Sequence, residues 1–177
     1  MPLVADCSIN SVPSQYRPGV TFKEAFKAPS LQILPGILDF VHYQDLSPPY
    51  PPRLRFGFLL KPRDLVNLLA SELNYPCPKE DYENWIAWNQ HARETIQAHI
   101  ASQLGRGLKL DYQCIACEGK IHWCLTICTN YNRFETKAMR YVAAFLRHWL
   151  AGKGVTVDPA MWYMDCDEIY CFWRNRL

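Results

Sequence analysis

The densest group of reactive side chains is Cys114-Ile115-Ala116-Cys117-Glu118-Gly119-Lys120, followed by His122, Cys124 and Cys128. A Cys-x-x-Cys with glycine just beyond resembles a zinc knuckle, whose turn lets two thiolates converge on one ion. Such a site would draw on Cys114, Cys117, His122 and Cys124, since the chain has no second Cys-x-x-Cys or His pair at the usual distance. Against it, residues three apart on a strand point to opposite faces unless the chain turns between them. Strand cysteines also commonly serve as small hydrophobes. Thiol catalysis is the other reading, because His122 and Cys124 share one strand face. A reactive thiol needs a helix N-terminus or a nearby cation, and no helix follows these cysteines directly. We therefore expect no resident cofactor, with zinc as the one metal the sequence would accommodate.

A second group is polar. Arg55, Asp111, Gln113, His122 and Thr126 would line an enclosed pocket if two sheets met face to face, as in dimeric α+β barrels. His99 lies beside the apolar stripe of a long helical pattern. A histidine held against aromatics can carry a functional pKa, but more often it is a core residue donating one ring N-H. Gly57, in mid-strand, marks a bulge or a close approach of ligand or backbone. Arg53, Arg55, Lys61 and Arg63 form a local basic group of the kind that keeps a sheet edge solvated. Asp165, Asp167 and Glu168 read as a turn, since so short a run would leave most positions around a cation empty. No phosphate loop, His-Glu-x-x-His, nucleophile elbow or EF-hand loop is present.

The elements that must position these residues follow from periodicity. Leu54 to Leu60 reads as a strand, and Pro62 opens a helix carrying Leu65, Leu68, Leu69 and Leu73. A second helix is predicted from about Glu80 to Leu104, with Trp85, Trp88, Ala92, Ile96 and Ile100 on one stripe. Alternation on both sides of Glu118-Gly119 predicts a β-hairpin, in which Ile121, Trp123, Leu125 and Ile127 face the helices and His122, Cys124, Thr126 and Cys128 face away. Without aromatics on that second face, the strand lacks the stacking platform of RNA-binding sheets. Asn132 with Glu135 three residues on predicts a reciprocal cap for a helix to about Ala151. That helix buries Phe134, Ala138, Val142, Phe145, Leu146 and Trp149 and turns Thr136, Lys137, Arg140 and Arg147 outward. Met161 to Trp173 is predicted as one bulged strand or a second hairpin.

The order β-α-α-β-β-α-β predicts an α+β fold of the ferredoxin-like split βαβ kind, an antiparallel sheet with helices on one face. Twelve of the 13 prolines fall in residues 1–78. We read residues 1–52 as a Pro-rich extension and connector, with Leu31 to Phe40 lying against one domain of residues 53–177 and residues 1–20 mobile. With 19 basic and 17 acidic residues, the weak net charge of +2 argues against nucleic acid. No apolar run reaches the length of a membrane span and no export signal opens the chain, which suggests an intracellular protein, cytoplasmic or nuclear. The expectation that makes the fewest chemical demands is a non-enzymatic module that binds a protein partner or self-associates through its sheet face or extension. A small cofactor-independent enzyme or carrier, and a structural zinc domain, are the alternatives.

Overall fold

A computed structural model of the chain describes residues 10, 12–39, 51–73, 91, 94–95, 97–102, 110–132 and 135–166. Four strands occur among them: β1 (Leu54–Leu59), β2 (Asp111–Cys117), β3 (Lys120–Thr129) and β4 (Met161–Asp165). The helices are α1 (Phe22–Ala25), α2 (Pro62–Leu73) and α3 (Thr136–Gly152), and residues 97–102 are also helical. No described helix is long and apolar enough to cross a membrane.

The hairpin forms where alternation predicts it. Glu118 takes a φ of 52° and Gly119 one of 77°, so the turn needs the left-handed region at both positions. β3 then pairs antiparallel with β1, and β1 with β4. The expected ferredoxin-like sheet would stop there, with β2 and β4 as free edges. Instead they pair with each other, Ile115 opposite Asp165 and Ala116 opposite Met164, closing a four-stranded antiparallel barrel in the order β1-β3-β2-β4. The expectation of an open sheet with helices on one face is thereby corrected. Closure pairs the two edges over Ile115–Ala116 and Met164–Asp165, and it could not be read from the strand patterns because any run of alternating residues fits either a curled or an open sheet.

Side chains of paired residues lie on the same face. One face carries Leu54, Phe56, Phe58, Tyr112, Leu125 and Trp162, and these join a core with Val12, Tyr16, Ala25, Ala28 and Leu38 of the extension and with Leu65, Leu68, Ile100, Leu146 and Leu150 of the helices. This is the barrel's outer surface. The other face holds a separate, smaller cluster of Ile115, Cys117, Cys124 and Tyr163 with Leu59 and Met161, and it forms the barrel's interior.

The extension is bonded to the barrel through backbone. Leu31 exchanges two hydrogen bonds with Trp162, at 2.9 and 2.8 Å, and the N-H groups of Glu118 and Gly119 donate to the carbonyls of Ala28 and Phe26. Leu38 is fully buried. Val12 and Tyr16 are buried too, while residues 1–9 and 11 of the segment expected to be mobile lie outside the described residues. A reciprocal cap between Thr21 and Glu24 starts α1.

α3 differs from expectation at its start. Glu135 is the capping residue and makes no side-chain cap bond. Asn132 is used elsewhere, its Oδ1 accepting from the N-H and the hydroxyl of Thr129 at 2.8 and 2.7 Å. The buried side of α3 centres on Met139, Leu146 and Leu150, whereas Ala138 is exposed. Most of the predicted helix from Glu80 to Leu104 and the segment beyond Cys166 lie outside the described residues.

Candidate functional site

Gly57 and the register of β1 decide where the polar residues meet. Phe56 pairs with Cys128 but Gly57 pairs with Thr126, so Ile127 is an extra residue on β3 and a bulge results. A Cβ on Gly57 would lie 2.0 Å from the carbonyl oxygen of Leu125. Close backbone approach is therefore the reason for glycine here. The bulge also breaks the expected alternation: Cys128 passes to the outer core, while Cys124 and Thr126 stay inside.

Inside, Arg55 is the centre of charge. Its Nε donates to Asp165 Oδ2 at 2.7 Å and its Nη1 to Asp111 Oδ2 at 3.0 Å. The side chain of Asp165 is 1% exposed and that of Asp111 42%, which sets Asp111 at the mouth and Asp165 deep. Gln113 Nε2 donates to Asp111 Oδ1 at 3.2 Å. Thus Arg55, Asp111 and Gln113, singled out in the sequence, do converge, and Asp165, read there as part of a turn, is their buried anchor. Of the rest of the basic group, Lys61 and Arg63 are exposed, and the guanidinium of Arg53 lies 5.9 Å from the centre of the Tyr131 ring.

Cys124 is fully buried beside this network. Burial pushes its thiol up to about 12, and the neighbouring Thr126 hydroxyl and Arg55 offset only part of that. Thr126 Oγ1 is itself buried and completes no hydrogen bond. Burial also raises Cys117, with Glu118 adding to the effect and the Ser30 N-H opposing it. Both thiols are therefore held protonated at neutral pH, the opposite of what a nucleophile or metal ligand requires.

The candidate ligands of the zinc reading are divided. Cys114 pairs with Trp123 on the outer face, whereas Cys117, His122 and Cys124 belong to the inner-face register. The whole Cys-x-x-Cys lies within β2, with no turn to bring its sulfurs together. Among the described residues no group of three or more His, Cys, Asp or Glu side chains could hold a metal ion. His99 packs elsewhere, its ring 5.9 Å from that of Trp149 on α3.

Sequence reasoning missed Asn130, which is fully buried. Its Oδ1 accepts from the Leu54 N-H at 2.7 Å, and its Nδ2 donates to the carbonyls of Leu38 and Pro52 at 2.6 and 2.9 Å. One side chain thus joins the extension, the start of β1 and the end of β3. Tyr131 adds a hydroxyl bond to the Pro51 carbonyl. A hollow of about 140 Å³ lined by Ser14, Gln15, Val20, Glu24 and Lys27 lies on the extension, below the roughly 300 Å³ at which small-molecule sites begin.

Comparisons of the chain with protein families, with curated proteins and with solved structures find no match.

Proposed function

We propose that this chain is a non-enzymatic protein-interaction module whose N-terminal extension, held on the barrel, presents the contact surface. The observation that carries this reading is how the extension is arranged. Its backbone is bonded to β4 and to the hairpin turn, yet Ile33 is 74% exposed and Phe22 47%, and Ile121 near the same turn is 63% exposed. Apolar side chains on a segment already ordered can bind without a large further loss of conformational entropy.

The alternative of a small enzyme or carrier would have to work through the barrel interior. There Arg55 is compensated by two carboxylates, and the nearby thiols are protonated. Those groups support the barrel better than they support turnover.

The test is cross-linking mass spectrometry on the full chain in extracts of its own cells, together with light scattering on the purified protein. Cross-links from residues 21–34 to a second polypeptide, or a dimer by scattering, are expected, and Phe22→Glu with Ile33→Glu should remove them. Cross-links confined to the chain itself, with a monomer by scattering, would overturn the reading.

A further inference from the structure

We propose that the solvent face of α3 is a docking surface for an acidic helical segment of another protein. The inference goes beyond the role given to the extension and involves none of the extension's residues. α3 has 17 residues and no acidic one. At helical spacing Lys137, Tyr141, Ala144 and His148 follow one another along its exposed side, with Arg140 and Arg147 beside them. Tyr141 is 70% exposed in the middle of this row. Among the described residues, Lys137, Arg140 and Arg147 form no ion pair.

The fold does not account for these cations. Lys137 lies in the first turn, where the aligned peptide dipoles are positive and a cation is unfavourable; the acid at this end, Glu135, is the capping residue, and none lies in the turn itself. Lys137 and Arg140 are also like charges three residues apart, which destabilises an isolated helix. The opposite side of α3 already anchors it through Met139, Leu146 and Leu150. A local rule broken without structural gain is what a binding surface would explain.

Charge complementarity and shape select the occupant. Three permanent cations along about 15 Å of helix axis match carboxylates on a facing helix, and the small side chains of Ala144 and Ala151 permit a close approach of about 8–10 Å between axes. Tyr and Arg are the residue types that dominate binding energy at protein interfaces. Nucleic acid fits less well, because a net charge of +2 supplies little steering towards a polyanion. A bilayer fits less well still, because Tyr141 is the single large apolar group on this face.

The experiment measures fluorescence anisotropy of a labelled helical peptide of about 20 residues, repeating Glu-Ala-Ala-Ala, titrated with the full chain at low salt. Arg140→Glu with Arg147→Glu should weaken binding by about 10-fold or more, and Tyr141→Ala by about 3-fold or more. Lys61→Glu with Arg63→Glu makes the same charge change at exposed positions at the start of α2, one just before it and one in its first turn, and should leave affinity within about 2-fold. Circular dichroism checks that each variant is folded. The proposal is overturned if the peptide does not bind, or if the α2 variant loses as much as the α3 variant. It is likewise overturned if a DNA oligonucleotide or phosphatidylserine-containing vesicles bind more tightly than the peptide. Phe22→Glu with Ile33→Glu should leave peptide affinity unchanged, so failure of the extension's role and failure of this surface give different results.

Discussion

Arg55 and Asp165 meet at 2.7 Å across 110 residues of chain, a bond from the first strand of the barrel to the last, and both side chains are nearly inaccessible to water. The second nitrogen of the same guanidinium reaches Asp111 on β2. β4 and β2 are the two strands whose pairing closes the barrel, so Arg55 ties together both sides of that seam.

Removing one partner of a buried pair leaves an uncompensated charge. Asp165→Ala is expected to cost about 3–5 kcal/mol. Asp111→Ala, at a largely solvated position, should cost about 1 kcal/mol or less. Urea unfolding of the two variants checks the order, and equal losses would contradict the assignment of Asp165 as the principal partner.

Gly57→Ala is expected to destabilise by about 3 kcal/mol or more, since the added carbon would meet backbone rather than a side chain able to move. Thermal unfolding reads this directly. Gly152→Ala, at the exposed end of α3 where an added Cβ has nothing within 4 Å, serves as the contrasting control and should leave stability unchanged or raise it by up to about 1 kcal/mol.

Asn130→Ala strands the Leu54 N-H and the carbonyls of Leu38 and Pro52, at about 1–3 kcal/mol for each group left unpaired. Asn130→Asp keeps the acceptor but sets a carboxylate against two carbonyls, so it should be no better tolerated. Hydrogen exchange of the Leu38 and Asp39 amides is expected to accelerate in both variants, because the extension loses its link to β1.

Stability should fall in alkali. Cys124 holds its proton more tightly folded than unfolded, so its contribution is fully present below the ordinary thiol pKa of about 8.5 and is lost as pH rises towards about 12. The maximum slope from one such group is about 1.4 kcal/mol per pH unit. Tyr163 and Cys117 are raised in the same direction by burial and steepen the decline. Unfolding free energies measured across this range should drop, and Cys124→Ala should reduce the slope. An unchanged slope in that variant would mean that Cys124 ionises as easily in the folded protein as in the unfolded one.

The local elements were legible in the chain. β1, the hairpin at Glu118-Gly119, the helix from Pro62 and the body of the helix that ends near Ala151 all arise from spacing, glycine and proline that act within a few residues, and each is present. Gly57 was legible as a place of close approach, though not as to which backbone approaches. What tertiary structure alone decided was the meeting of distant residues. The pairing of β2 with β4 depends on curvature accumulated over the whole sheet, and it turned Asp165 from an apparent turn residue into the buried partner of Arg55. The bulge at Ile127 moved Cys128 away from Cys124, and Asn130, one polar residue at a strand end, gave no periodic signal of the three segments it joins. Alternation specifies which side a side chain takes, and only closure specifies whether that side is inside.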